Sequence, residues 1–161
     1  MAFVEEQKLG TVWMKLMYII AGSAALLIPG LSMFKTPENN FIYFMIGFFF
    51  FLLAIYLLVF ESKAQVRIDT QGIHYKYWPI VWNWRLISWR EIENLDIKNV
   101  NPINDFGGWG YRFGRKSSGI ILNSDKALYI TRKTGKPFVI TTSKPEAMRA
   151  EIEHRNAEIF V

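Results

Sequence analysis

The chain has 161 residues, no cysteine and a formal net charge of +5 at neutral pH. That length leaves room for one soluble domain of ordinary size. The missing cysteine excludes disulfides, thiolate nucleophiles and cysteine-based zinc sites, and it fits a reducing compartment.

Charge is unevenly placed. Up to Phe60, Lys8, Lys15 and Lys35 balance Glu5, Glu6 and Glu38, so the remainder carries the whole positive excess. A basic soluble part points to an anionic partner, and for a membrane-tethered domain anionic lipid headgroups are nearer than nucleic acid. The plainer reading is a positive-inside signal with a solvated surface.

Residues 1–11 form a mixed, acidic-leaning start that lacks the basic region of a secretory signal, and they read as a cytoplasmic N-terminal segment. Two apolar runs follow, residues 16–34 and 41–60, and the second carries no charged side chain. Each is about 20 residues long, enough at ~1.5 Å per residue to cross ~30 Å of hydrocarbon. Gly22, Ser23, Ala24 and Ala25 allow close approach of a neighbouring helix. Pro29 and Gly30 would break a soluble helix but are tolerated in a membrane span. Residues 35–40, with Pro37, Glu38, Asn39 and Asn40, have turn chemistry. Residues 12–60 therefore predict a transmembrane helical hairpin with spans at about 14–34 and 41–60. Lys8 and Lys15 flank one end and Lys63 and Arg67 the other, which places both termini in the cytoplasm of a cell whose cytoplasmic (inner) membrane holds the chain. Trp13, Tyr18, Phe41 and Tyr43 sit where interfacial aromatic belts occur.

After Glu61 the texture changes to short alternating runs. Val66 and Ile68 alternate with Arg67 and Asp69, Thr70-Gln71-Gly72 reads as a tight turn, and residues 73–78 alternate again before Pro79. Strands are expected over 85–89 and 95–100, with a short helical bend at 90–93 between them. An Asn-, Pro- and Gly-rich loop is expected over 101–110. Further strands are expected near 111–113 and 119–122, then a hairpin pairing 127–131 with 137–142. The end reads as a helix, with Ser143 as N-cap, Pro145 in the first turn and Glu146 at the capping-box position. A strongly bent antiparallel barrel with one amphipathic helix closing its open end accounts for this order.

Three segments carry a family resemblance: Ile87-Ser88-Trp89-Arg90-Glu91-Ile92, Gly107-Gly108-Trp109-Gly110-Tyr111-Arg112, and Gly135-Lys136-Pro137-Phe138-Val139-Ile140 followed by Pro145-Glu146. Together they resemble bacterial pleckstrin-homology-like (PH-like) domains, which commonly follow a pair of membrane spans. The resemblance covers residues 61–155 and is most specific in the Gly-Gly-Trp-Gly-aromatic-Arg segment. It implies a mainly-β split barrel of about seven antiparallel strands capped by a C-terminal helix, here residues 61–161 in the cytoplasm. It implies no single activity, because such a fold hosts lipid, peptide and protein recognition.

Groups for catalysis are thin. His74 and His154 are more ordinary as surface or rim residues than as bases, no serine sits in a nucleophile elbow, and no spaced histidine pair offers metal ligands. Gly107 and Gly108 belong to no phosphate-loop pattern. The chain is expected to be no enzyme, and to need neither a metal nor a cofactor.

Four of the six tryptophans lie between residues 78 and 89. Trp89 reads as core. The link from Phe60 to Val66 is short, so successive strands return their loops toward the bilayer, and Trp78, Ile80, Trp82 and Trp84, with Phe106 and Trp109, are the expected membrane-contact residues. Packing of these rings against each other or the spans is the competing reading. A second candidate site is an anionic-ligand patch of Arg112, Arg115, Lys116, Lys133 and Lys136, formed if their two turns are neighbours. A solvated loop surface is the plainer alternative. The function expected is a non-catalytic, membrane-anchored interaction module that binds a protein partner, a second copy of itself or lipid headgroups. The main alternative is an accessory subunit assembled through the hairpin, and a weaker one is a membrane-associated enzyme or transporter component.

Overall fold

A computed structural model of the chain describes residues 3–10, 12–33, 39–114 and 117–159. They fall into two compact units: Gly10–Glu61 is one, and Met1–Leu9 together with Ser62–Val161 is the other.

The apolar unit contains α1 (Val12–Met33) and α2 (Asn39–Phe60). Both are long and apolar enough to cross a membrane, and the most apolar stretch of each contains no buried residue. A core helix of a soluble protein would bury such a stretch, so these faces need an apolar solvent or partner. α1 continues through Pro29. The two helices touch where the small residues lie, and a Cβ on Gly22 would stand 3.7 Å from Leu52. Tyr18 donates its hydroxyl to the Leu52 carbonyl at 2.5 Å and packs its ring 5.1 Å from that of Phe60. Lys15 pairs with Glu61 at 2.5 Å. Of the connecting turn expected at 35–40, residues 35–38 lie outside the described residues, as does the side chain of Phe41.

The second unit begins before the hairpin. β1 (Phe3–Lys8) pairs antiparallel with β2 (Lys63–Ile68), so the start of the chain, read from sequence as a plain segment, is a strand. Its alternation is hidden because two of the three inward positions, Phe3, Glu5 and Gln7, are polar. β2 continues to β3 (Gly72–Trp78) and β4 (Val81–Ser88), giving a four-stranded meander in the order β1-β2-β3-β4. The turn into β3 requires glycine: at Gly72 φ is +152° and a Cβ would stand 2.2 Å from the Ile87 carbonyl oxygen.

A 3₁₀ turn at Trp89–Glu91, where a bend was expected, leads to β5 (Ile92–Asn99). The following segment, expected as loop, contains a short helix, α3 (Pro102–Phe106). Asn101 caps it by accepting from the Ile103 and Asn104 amides at 3.1 Å each, Pro102 opens it and Gly107 closes it. Then come β6 (Gly110–Phe113), β7 (Ser118–Ile121), β8 (Lys126–Arg132) and β9 (Phe138–Thr141), which with β5 form a five-stranded sheet in the order β5-β8-β9-β7-β6. α4 (Pro145–Ile159) ends the chain. The described residues thus hold nine strands rather than about seven, and β7 runs parallel to β9, so the two sheets are mostly rather than wholly antiparallel.

The inward faces make the core. Val66, Ile68, Ile73 and Ile87 of the first sheet and Ile120, Leu128, Ile130 and Ile140 of the second are buried, with Met148 and Ile152 of α4. Each such side chain contributes about 1.5–3 kcal/mol over its exposed state. Aromatic rings join the sheets: Tyr75 stacks on Phe138 at 4.5 Å and Tyr77 lies 5.9 Å from Tyr111.

Glu5 is 3% exposed, an expensive place for a carboxylate. It accepts from the Thr142 hydroxyl at 2.6 Å, from the Ser143 amide at 2.7 Å and hydroxyl at 2.6 Å, and from Gln7 at 2.9 Å. Ser143, expected to cap α4, instead gives its hydroxyl to Glu5, while the Thr142 hydroxyl accepts from the Lys144 amide at 3.0 Å. Gln7 also donates to the Thr141 carbonyl at 2.7 Å. One carboxylate therefore holds β1 against the end of β9 and the entry to α4. Glu5→Ala should leave those donors unpaired and destabilise the sheet unit by about 1–3 kcal/mol, read as a lower urea midpoint of the full chain in detergent with α1 and α2 intact by circular dichroism.

Candidate functional site

Register decides what the first sheet presents. Residues directly opposite one another share a face, and neighbours along a strand alternate. Ala64, Val66 and Ile68 point inward, so Lys63, Gln65 and Arg67 point outward. Lys63 stands between Lys8 of β1 and Trp78 of β3, which places all three in one row at the end of the sheet where the chain leaves at Leu9 and returns at Ser62. Arg67 opposes His74, and His74 opposes Leu86. Alternation from Leu86 brings Trp84 and Trp82 to the same face, and the Arg67 guanidinium lies 5.8 Å from the Trp84 ring centroid.

The result is an outer face with an apolar stripe on the edge strand β4. Trp82 is 67% exposed, Trp84 44% and Leu86 44%, and Ile80 in the β3–β4 turn is 55% exposed. Lys8, Lys63, Arg67 and Lys76 share that face. Trp82 turns its indole N–H back to the Pro79 carbonyl, which closes the turn and leaves the ring outward. Of the expected membrane-contact residues, Trp78, Ile80, Trp82 and Trp84 are thus on one hairpin and exposed. Phe106 differs: it packs against the buried cluster of Val100, Ile121, Ala127 and Val139, because the short α3 turns its last residue inward. Trp109 is exposed but belongs to the connection between β5 and β6 in the other sheet. Trp89, expected in the core, is half-buried and donates its N–H to the Asp69 carbonyl at 2.9 Å.

Asp69 organises the far end of the outer face. Its carboxylate meets Arg67 at 3.0 Å and His74 at 3.0 Å, and accepts from the Gln71 amide at 2.9 Å. Burial by itself would push the Asp69 carboxyl up, but the Gln71 amide, His74 and Arg67 together hold it below the usual carboxylate value.

The second candidate patch is only partly assembled. Its two turns are neighbours: the Lys136 ammonium donates to the Gly114 carbonyl at 3.2 Å, and the Ser118 amide to the Pro137 carbonyl at 3.0 Å. Lys133 is exposed there, while Arg115 and Lys116 lie outside the described residues. Arg132, which the sequence reading passed over, donates Nε and Nη2 to the Lys136 carbonyl at 3.0 and 2.9 Å. Arg112 lies against the connection that precedes β6. Its guanidinium fills the space over Gly108, where φ is +124° and a Cβ would stand 2.9 Å from Nη2. The Arg112 Nε is buried without a hydrogen-bond partner. Residues 107–109 therefore make a tight connection into β6 that lies against the Arg112 guanidinium, and the positive φ at Gly108 favours glycine there.

Between the sheets, burial pushes the Tyr75 phenol up to about 12, with neighbouring Tyr111 adding to the effect. Tyr75 stays neutral at physiological pH and acts as a packing and hydrogen-bonding group.

No family model, curated protein or solved structure matches this chain.

The Asp69 cluster makes a pH prediction. Its folded pKa lies below its unfolded one, so the stabilisation is complete above the unfolded value and is lost as pH falls through the folded one. In urea titrations, Asp69→Asn should lower the midpoint at neutral pH and flatten its fall below roughly pH 4, the ordinary carboxylate range.

Proposed function

We propose that this chain is a non-catalytic, PH-like interaction module anchored in the cytoplasmic membrane by its helical hairpin, with the outer rim of its first sheet seated on anionic lipid headgroups. The carrying observation is the row of Lys8, Lys63 and Trp78 at the end of the sheet where the chain departs to the hairpin and returns. Both crossing points are neighbours, since the Leu9 amide approaches the Ser62 carbonyl at 3.5 Å. A hairpin that crosses a bilayer from there brings the Trp78–Ile80 turn to the headgroup level. Trp and Lys together are what that level favours: an indole has an apolar body with a wet N–H, and each basic residue near an anionic surface gains about 1 kcal/mol. The two mostly antiparallel sheets followed by α4 support the PH-like reading, and the lysine flanks of the hairpin support a cytoplasmic sheet unit.

A second reading, an accessory subunit, is favoured by one observation inside the hairpin. Tyr18, Gly22, Ser23, Leu52 and Tyr56 border an almost wholly apolar groove of about 290 Å³ between α1 and α2, a shape that a third membrane helix would fill.

Single-tryptophan versions that keep only Trp82 or Trp84 test the membrane seat. In vesicles bearing headgroup-region quenchers, both should be quenched more strongly as anionic lipid increases. Quenching that equals the value in detergent micelles carrying the same quencher in solution, at every lipid composition, would remove the headgroup seat and leave the accessory-subunit reading.

A further inference from the structure

β5 is an edge strand. Its inner edge is paired with β8 from Ile92 to Asn99, with a bulge at Glu93, and no strand pairs with its outer edge among the described residues. The other edge strands are β1, β4 and β6. β5 borders a cavity of about 270 Å³ that α4 walls on its far side.

The lining says how the cavity runs. Side chains of a strand alternate between faces, so a pocket on one face meets every second residue. Here residues 92–97 all line the cavity in succession; the bulge at Glu93 breaks the alternation only at the start, and residues 94–97 still follow one another. Such a run follows the edge of the strand, where unpaired backbone N–H and C=O groups are presented. Six residues at about 3.3 Å each make a track of roughly 20 Å. The opposite wall is Arg149, Ile152 and Glu153, which share one side of α4 by their spacing of three and four. Leu128 and Ile152 are buried and provide an apolar floor.

Charge selects the occupant. The rim carries three carboxylates, Glu93, Asp96 and Glu153, against one guanidinium, Arg149. This is a net acidic cleft in a chain of net charge +5. Asp96 is already paired with Lys98 at 2.9 Å, whereas Glu93 and Glu153 are exposed.

We infer that the cleft between β5 and α4 binds an extended segment of a partner protein, which adds to the free edge of β5 as a further strand and presents Lys or Arg to Glu93 and Glu153 with apolar side chains between them. Main-chain hydrogen bonds to β5 give the affinity, and alternate side chains reaching the Leu128–Ile152 floor and the acidic rim give the preference. A module held at a membrane by its hairpin would in this way capture a basic, unstructured tail. The cleft uses no residue of the Trp82 face, so the two sites are separable.

The test is selection of a displayed random decapeptide library on the full chain in lipid nanodiscs, with hydrogen exchange of the selected peptides' complexes. The expected result is enrichment of peptides in which Lys or Arg alternates with apolar residues, slowed exchange of amides in residues 92–97, and affinity about tenfold weaker for Glu93→Lys/Glu153→Lys. Methylating alternate backbone nitrogens of a selected peptide should abolish binding while its charge is unchanged, a loss that simple electrostatic attraction does not produce. Three results overturn the inference: no enrichment over the charge-reversed variant, selected peptides that leave residues 92–97 exchanging as before, or protection of β5 that rises with chain concentration without peptide, which would assign the edge to a second copy. None depends on lipid composition, so the headgroup seat stands or falls separately.

Discussion

Backbone pairing of β1 with β2 is the contact on which the arrangement depends. Those two strands are neighbours in the sheet, yet Gly10–Glu61 lies between them in the chain. A connection that a tight turn could make is made by two long apolar helices. Closing so long an insertion has a modest entropic cost, because loop closure grows only logarithmically with length. Glu5 then holds the strand from its inward side, with hydroxyl and amide donors from Thr142 and Ser143. The helical pair is thus inserted between two neighbouring strands rather than appended to the sheet, and the chain leaves and returns beside one row of residues.

That constraint gives the tryptophans of the β3–β4 hairpin a physical reason. Trp82 and Trp84 are costly to expose to water, and an isolated pair on an edge strand would invite association. They lie on the face that holds Lys8, Lys63 and Arg67, and the turn before them follows Trp78, which stands opposite Lys63 in the sheet. An apolar and cationic rim at that place is matched to a headgroup layer. The acidic cleft along β5 has the opposite character, so the domain carries two chemically distinct faces rather than a uniform basic surface.

Much of the fold was legible from sequence periodicity. The long uncharged runs pointed to α1 and α2, alternation in residues 66–69 and 73–78 located most of β2 and β3, and Pro145-Glu146 marked the start of α4. β1 was not legible, because two of its three inward positions, after Phe3, are Glu5 and Gln7, whose burial is balanced by hydrogen bonds with residues more than 130 positions away. The parallel pairing of β7 with β9 was equally hidden, since no local pattern reports which strands become neighbours. At the site, the exposed Trp82 and Trp84 were readable from composition and turn chemistry. Phe106 was misplaced because a loop rich in Asn, Pro and Gly conceals a capped helical turn that aims it inward. That Arg112 lies against the connection at Gly108 was not legible either, because the approach depends on the positive φ that follows the short helix α3.

The central claim is that the Trp78–Ile80 end of the first sheet rests at the headgroups while the Gln71 end does not. The chain has no cysteine, so a single Cys at position 80 or 71 gives a unique site for a nitroxide. Paramagnetic accessibility of the full chain in anionic bilayers measures the depth of each label. The account predicts that the label at 80 is shielded from an aqueous relaxant and accessible to oxygen, while the label at 71 is open to the aqueous relaxant. Equal aqueous accessibility at the two positions would contradict it.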